Sequence, residues 1–198
     1  MCGILYYQGY QDVSENDFNN AINKLNLRGP DNNNSIKIAE NKQMGFTRLS
    51  INDISNNGNQ PLIKNDNYYL ICNGEIYNHK ELQQENEFQT KSNSDCEIII
   101  HMYEKYGIEK TIQSLDGVFA FVLYDKSKNK IMIGRDPYGV RPLFIGKTLH
   151  NELLICSEIK PISDLCSEIE PFPIGSFGEL NDNSYDIIFQ RYHNYDFK

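Results

Sequence analysis

The chain has 198 residues, a length that suits one large domain or two small ones. Hydrophobic residues make up 39% and aromatic residues 12%, which is enough for a packed core although Trp is absent. The net charge of -8 and the pI near 5.0 argue against a surface for nucleic acid or anionic membranes, since both partners need a basic patch.

The first half of the chain reads as strands interrupted by one helix. A strand is predicted over Gly3–Gln8, and the capping-box pattern Ser14-Glu15-Asn16-Asp17 begins a helix that extends to about Asn26. Arg28-Gly29-Pro30-Asp31 ends this helix. A turn is predicted at Asn73-Gly74-Glu75, because Asn-Gly favours turns. Further strands are predicted over Ser35–Ala39, Met44–Ile51 and Tyr68–Cys72.

The second half begins with helices and continues with strands. A short helix is predicted from Asn78, and Ser94-Asp95-Cys96-Glu97 is a capping-box pattern that opens a longer one. A hairpin is predicted from Val118–Tyr124 and Lys130–Gly134. Further strands are predicted near Leu143–Gly146, Leu153–Cys156, Ser176–Leu180 and Tyr185–Arg191. Many strands with a few grouped helices indicate the α+β class, with mainly antiparallel sheets and helices packed outside them.

The cysteine pattern bears on the compartment and on metal binding. The five cysteines are Cys2, Cys72, Cys96, Cys156 and Cys166. No two of them form a C-x-x-C pair, so we expect no metal site, and the odd count and wide spacing argue against a disulfide framework. The residues after Met1 are too polar for a signal peptide and no stretch is long enough to span a membrane, so we expect a cytoplasmic protein.

Cys2 is the first candidate for catalysis, because a cysteine directly after Met1 permits removal of that Met. The processed residue then carries a thiol of pKa about 8.5 beside an α-amine of pKa roughly 7.7–8.0, so the two groups exchange a proton near neutral pH. Nucleophile and base thus sit in one residue. For an isolated Met-Cys, a small hydrophobic residue in a strand is the better interpretation, by about ten to one.

Other polar residues change that balance. Arg48 ends a strand and offers a fork that matches a carboxylate, and Asp95 offers a counter-ion for an ammonium group. The Asn73 side chain and the Gly74 N–H are placed to converge on a developing oxyanion. Each has an ordinary structural explanation alone: a solvated strand arginine, a helix-dipole contact, a plain turn. Together with the thiol, they describe a site for a free amino acid that carries a side-chain amide.

Short segments in a fixed order make the interpretation specific. They are MCGI at 1–4, RGPD at 28–31, RLSI at 48–51, NGEIYNH at 73–79, LDGVFAF at 115–121, GRDPYGVRPL at 134–143, SEIK at 157–160 and PFPIG at 171–175. In these segments the chain resembles a class II glutamine amidotransferase domain, most closely that of eukaryotic-type asparagine synthetases. The series covers almost the whole chain, whereas any one motif would be a weak signal.

The resemblance implies a four-layer αββα sandwich of two mainly antiparallel sheets, the N-terminal nucleophile hydrolase type. It implies that Cys2 is the nucleophile, that Arg48 binds the glutamine carboxylate and Asp95 its ammonium, and that Asn73 and Gly74 form the oxyanion hole. Leu49, Ser50, Ile51, Asn52 and Glu75 are expected to line the glutamine pocket. The implied reaction is hydrolysis of L-glutamine to glutamate and ammonia through a Cys2 glutamyl thioester.

The chain departs from the family pattern in two places, one at the expected pocket and one at its C-terminal end. Thr47 stands where many relatives have His or Arg, at the rim of the expected pocket. The chain also stops soon after Tyr192-His193, and it lacks a Ser-Gly-Gly-x-Asp-Ser pyrophosphate loop. We therefore expect residues 1–198 to be one amidotransferase domain without a cofactor. ATP and magnesium are expected only in a missing synthetase domain, or in a partner protein that receives the ammonia.

The leading hypothesis is an enzyme that hydrolyses glutamine and supplies ammonia for asparagine biosynthesis. One alternative is a stand-alone glutaminase subunit, or a non-catalytic glutamine sensor, that serves a different acceptor enzyme. Another is an N-terminal nucleophile amidase for a different amide. The pair Arg48 and Asp95 disfavours this last alternative, because both groups call for a free α-amino acid.

Overall fold

The computed structural model describes residues 1–51, 53, 55–181 and 185–194, and it is built mainly of strands. The helices are α1 (Glu15–Asn23), α2 (His79–Asn86) and α3 (Ile98–Ser114). The first six strands are β1 (Gly3–Gln8), β2 (Asn32–Ala39), β3 (Lys42–Arg48), β4 (Leu62–Lys64), β5 (Tyr68–Ile76) and β6 (Gly117–Asp125). The others are β7 (Lys130–Arg135), β8 (Phe144–Lys147), β9 (Leu153–Cys156), β10 (Glu168–Pro171), β11 (Ser176–Asn181) and β12 (Ile188–Arg191).

The strands form two antiparallel sheets of six strands each. The first sheet has the order β10-β8-β9-β1-β3-β2, and the second has the order β12-β11-β7-β6-β5-β4. The N-terminal strand β1 is therefore central in the first sheet, with β3 and β9 as its partners. In the second sheet β5 pairs with β6 along its whole length, whereas β4 covers only its first three residues, 68–70. The outer edge of β5 is thus open from residue 71 onward.

Three buried clusters separate the layers. One lies between the two sheets and includes Tyr6 and Phe46 from one sheet and Ile71 and Val122 from the other. A second cluster packs the opposite face of β5 and β6 against α2 and α3. A third packs α1 against β1 and β9. The order helix, sheet, sheet, helix is the four-layer αββα sandwich that the resemblance implied, and the α+β prediction is confirmed.

Several local predictions are confirmed. Strands β1 and β9 have the predicted bounds, and β6 and β7 form the predicted hairpin. The capping box of α1 is present, because the Ser14 hydroxyl accepts a hydrogen bond from the Asp17 N–H and the Asp17 carboxylate accepts one from the Ser14 N–H. This helix ends at Asn23, three residues before the predicted end.

Other local predictions were wrong. Asn73, Gly74 and Glu75 do not form a turn but continue β5, because β6 pairs with them as far as Ile76. Strand β3 ends at Arg48 rather than at Ile51. Strands β4 and β10, which have three and four residues, were missed. Within the described residues, no helix combines the length and the apolar composition needed to cross a bilayer.

Candidate active site

A cavity of about 100 Å³ lies where the end of β3 and the residue before β1 face the open edge of β5. The predicted site residues that line it are Cys2, Arg48, Leu49, Ile51, Asn73, Gly74, Glu75 and Asp95. Residues far apart in the sequence are therefore brought together around one space. The described residues contain no cluster of three or more His, Cys, Asp or Glu side chains suited to hold a metal ion.

The Cys2 thiol lies at the inner wall of this cavity, partly buried against the core between the sheets. It accepts a hydrogen bond from the Leu49 N–H at 3.4 Å and lies 3.7 Å from the Leu49 carbonyl oxygen. Burial raises the pKa of the Cys2 thiol, although the Leu49 N–H lowers it in part. Arg28 fixes the backbone of the same residue, because its Nε donates to the Cys2 carbonyl oxygen at 2.9 Å. Forming a thiolate here requires a nearby base.

The guanidinium of Arg48, at the end of β3, is buried and held by three acceptors. Its Nη1 donates to the Ser55 carbonyl oxygen at 2.8 Å and to Asn59 Oδ1 at 2.6 Å, and its Nη2 donates to the Asp53 carbonyl oxygen. Among the described residues, these contacts leave the Nε–H and one hydrogen of Nη2. A guanidinium can bind a carboxylate through Nε–H and an Nη2 hydrogen together, as a bidentate fork.

The open edge of β5 presents main-chain N–H groups to the cavity. The Cys72 N–H donates to Gln60 Oε1 at 2.6 Å, and the Ile76 N–H donates to Asp95 Oδ2 at 2.6 Å. Because N–H groups alternate in direction along an antiparallel strand, the Gly74 N–H points to the same edge, between these two. A side chain at Gly74 has no room, since an added Cβ would lie 2.8 Å from both Phe119 Cβ and the Val118 carbonyl oxygen.

The Asn73 side chain supplies a second donor. It belongs to the alternate set of β5 residues that faces the space between the sheets, together with Tyr69 and Ile71. Asn73 is 1% exposed, and its Nδ2 is buried without a hydrogen-bond partner in the described part of the chain. A buried donor without an acceptor costs about 1–3 kcal/mol, so such a group calls for an explanation. A ligand oxygen in the cavity provides one.

Asp95 lies in a short 3-10 turn, Asp95–Glu97, that precedes α3. The capping box predicted here is absent, because the Ser94 side chain makes no cap hydrogen bond and the Glu97 carboxylate instead accepts from the Lys91 and Ser92 N–H groups. Asp95 is 5% exposed. Its hydrogen bond to β5 holds a carboxylate at the cavity, where it was predicted to meet an ammonium group.

Not every predicted pocket residue lies at the cavity. Ser50 is not among the lining residues, and its N–H donates to Asp31 Oδ2 at 2.7 Å instead. Asn52 lies outside the described residues. Several lining residues were not predicted as site residues, among them Asp53, Gln60 and Arg141. The Nε of Arg141 is also buried without a partner in the described ranges. Arg141 lies in the GRDPYGVRPL segment, so a signal was present, whereas nothing in the sequence marks Gln60.

Comparison with known proteins shows which family the chain belongs to. A family described as the glutamine amidotransferase domain matches residues 1–181. The chain belongs to this family. It is 45% identical to the glutamine-hydrolyzing asparagine synthetase of Mus musculus over 176 residues, 87% of this chain and 31% of the relative. With asparagine synthetase 1 of Arabidopsis thaliana it shares 38% identity over 182 residues, 89% of this chain and 31% of that relative. The amidotransferase domain therefore spans about a third of the length of these curated relatives.

Solved structures support the fold independently. A glutamine phosphoribosylpyrophosphate amidotransferase from B. subtilis superposes with a TM-score of 0.75 at 20% identity, over 97% of this chain and 49% of that one. A structure described as the allosteric regulatory enzyme of purine biosynthesis has a TM-score of 0.78 at 18% identity, with the same coverage. At such low identity these likenesses show the sandwich fold alone.

Proposed function

We propose that this amidotransferase domain hydrolyses L-glutamine to glutamate and ammonia. The observation that carries the proposal is the Nδ2 of Asn73, a buried donor on the same cavity as the Cys2 thiol that has no partner among the described residues. A reaction that creates an oxyanion beside the thiol gives this donor its acceptor. Arg48 and Asp95, which line the same cavity, select a ligand with a carboxylate and an ammonium group.

The proposed chemistry begins once Met1 has been removed. The freed α-amine of Cys2 takes the thiol proton, and the thiolate attacks the carbon of the glutamine side-chain amide. The carbonyl oxygen becomes an oxyanion between Asn73 Nδ2 and the Gly74 N–H. When it collapses, the C–N bond breaks, the ammonium of Cys2 returns a proton to the leaving nitrogen, and ammonia departs. Water then hydrolyses the glutamyl thioester, which releases glutamate and restores the thiol.

The acceptor of the ammonia belongs to the same proposal. Relatives named glutamine-hydrolyzing asparagine synthetase support ammonia supply for asparagine biosynthesis. Because the chain matches about 31% of their length, a synthetase domain or a partner protein would receive the ammonia and bind ATP and magnesium. We include a cytoplasmic location in the proposal, since all five cysteines are free thiols, as a reducing compartment would keep them.

The direct test is glutamate release from L-glutamine by the purified chain without ATP or aspartate. Cys2→Ala is expected to abolish release yet to retain glutamine binding, because the groups that hold the amino acid are separate from the thiol. Cys166→Ala is the matched control, a partly buried cysteine that does not line the cavity, and it should keep activity within a small factor. Full activity in Cys2→Ala would place the nucleophile elsewhere.

A further inference from the structure

Asp53 contacts Arg48 and the segment that leads to Asp95, although nothing in the sequence patterns assigned it a role. It is 6% exposed, and its carboxylate faces main-chain donors on two different segments. Oδ1 accepts from the Ser55 N–H at 2.8 Å and Oδ2 accepts from the Asn93 N–H at 2.9 Å. Its own carbonyl oxygen accepts from Arg48. One residue therefore joins the loop around Arg48 to the segment that leads to Asp95.

On the Arg48 side, the loop encloses the guanidinium. Ser55 and Asn59 supply the other two acceptors, and the Ser55 N–H is held by the Asp53 carboxylate. Gly58 packs against both partners, since a Cβ added there would lie 2.5 Å from Arg48 Nη2 and 3.0 Å from Asp53 Cβ. The orientation of the carboxylate-binding fork thus depends on how Asp53 shapes this loop.

On the Asp95 side, the bridge reaches Asn93, two residues before Asp95. A second buried carboxylate, that of Glu97, also holds the segment before Asp95. It accepts hydrogen bonds from the Lys91 N–H and the Ser92 N–H, both at 2.8 Å. Burial raises the pKa of Glu97, but hydrogen bonds from His101, Ser92 and Lys91 outweigh it and lower the value to about 2. Hydrogen bonds from Ser55 and Asn93 likewise lower the pKa of Asp53. Both carboxylates are therefore anionic acceptors at neutral pH.

We propose that Asp53 is a positioning residue that fixes the spacing between Arg48 and Asp95, and so couples recognition of the carboxylate and the ammonium of one α-amino acid. The inference rests on the proposed function, since it takes those two groups as the ends of the glutamine site. A ligand with both an α-carboxylate and an α-ammonium group binds more tightly because the spacing is fixed. For a ligand with only one of these groups, the fixed spacing changes the affinity little.

Asp53→Asn is the suitable change because it keeps the shape of the side chain. An amide has one acceptor oxygen and one donor nitrogen, so it cannot accept from both Ser55 and Asn93. One of the two loops must lose its anchor. Asp66→Asn is the matched control, since Asp66 is an exposed carboxylate that pairs with Lys126 at 2.9 Å and does not line the cavity.

The experiment measures ligand binding by calorimetry in the Cys2→Ala protein, so that no turnover intervenes. The ligands are L-glutamine and its des-amino analogue 4-carbamoylbutanoate. Asp53→Asn should raise the Kd for L-glutamine about tenfold or more, and the rise for the analogue, which uses the carboxylate fork alone, should be at least about threefold smaller. Asp66→Asn should change neither. Equal weakening of both ligands would show a merely structural role for Asp53, and an unchanged Kd for glutamine would also overturn the coupling.

Failure of this inference is separable from failure of the proposed function. Glutamate release by the protein that retains Cys2 tests hydrolysis. The ratio of the Kd increases for L-glutamine and for its des-amino analogue tests whether Asp53 couples Arg48 to Asp95. A chain that hydrolyses glutamine but shows no ligand-dependent loss in Asp53→Asn contradicts only the bridge. A chain that shows the ligand-dependent loss but releases no glutamate contradicts only the hydrolysis.

Discussion

Burial raises the pKa of the Cys2 thiol, so near neutral pH the proposed nucleophile depends on a base beside it. An α-amine of pKa roughly 7.7–8.0 on the same residue meets that need, but only after Met1 is gone. The other cysteines have no such base. Burial raises the pKa of Cys156 and of Cys166 to about 12, which leaves them as thiols at neutral pH. Position in the chain, rather than burial, therefore distinguishes Cys2.

Arg48→Lys tests the carboxylate fork at the residue level. An ammonium keeps the charge but cannot present two parallel N–H groups, and it also loses the contacts to Ser55 and Asn59. We expect the KM for glutamine to rise at least about tenfold, with a smaller change in kcat. Steady-state kinetics provide the measurement. Arg191→Lys, an exposed change on β12, is the control, and an unchanged KM in Arg48→Lys would show that the carboxylate binds elsewhere.

Asn73→Ala tests the oxyanion role, since it removes the buried Nδ2, which has no partner in the described part of the chain. A donor that acts on the developing charge should lower kcat by about 10²–10³-fold and change KM little. Asn20→Ala, an exposed change on α1, should leave both constants unchanged. An effect confined to KM would instead assign Asn73 to ground-state binding.

At the level of elements, β5 determines the site, and it also shows where sequence patterns are insufficient. Asn-Gly favours turns, so the pattern predicted one at Asn73-Gly74. Pairing with β6 overrides that local preference and keeps the segment extended as far as Ile76. The N–H groups of β5 therefore reach the cavity from a rigid strand, which would position the proposed oxyanion hole better than a turn does.

Gly74→Ala follows from the same pairing. The added Cβ would press on Phe119 and on the Val118 carbonyl oxygen of β6, and a neighbouring backbone moves less readily than a side chain. We expect a loss of roughly 1–3 kcal/mol in the free energy of unfolding, which lowers Tm by about 2–12 °C in a chain of this size. Thermal unfolding followed by circular dichroism measures it. Glu170→Ala, on the exposed strand β10, should leave Tm nearly unchanged. A similar Tm in both variants would contradict the close approach of β5 and β6.

The site was predictable as far as residue types and family order carry information. Clear sequence patterns predict strand β1 and the hairpin of β6 and β7. They also predict that Cys2 and Arg48 lie at the same site. The contacts of Asp53 and Gln60 have none, because each depends on main-chain groups brought near by the fold. Short strands such as β4 also escape pattern analysis, since three residues are too few to show alternation.

At the level of the whole molecule, the two sheets meet to make the cavity. Cys2 precedes β1 of the first sheet, whereas Asn73 and Gly74 belong to β5 of the second, and Asp95 comes from the turn before α3. Each sheet thus contributes one part of the proposed reaction. The packed core between them holds the Cys2 thiol and the proposed oxyanion donors in fixed relation, so the proposed catalysis depends on the whole sandwich.

The proposed division of labour predicts what this chain does with a complete substrate mixture. Purified protein given glutamine, ATP, magnesium and aspartate should release glutamate and form no asparagine, because the sequence contains no phosphate-binding loop. Amino-acid analysis by chromatography measures both products, and a glutamine-hydrolysing asparagine synthetase of full length is the positive control. Asparagine formed by the 198-residue chain alone would reveal a nucleotide site in it.

The most direct measurement is mass spectrometry of the protein quenched with acid during turnover of L-glutamine, followed by peptide mapping. We predict a chain that lacks Met1 and carries one glutamyl group as a thioester on Cys2, with no adduct in Cys2→Ala. A glutamyl group on any other residue, or full activity in protein that retains Met1, would contradict the assignment of Cys2 as the N-terminal nucleophile.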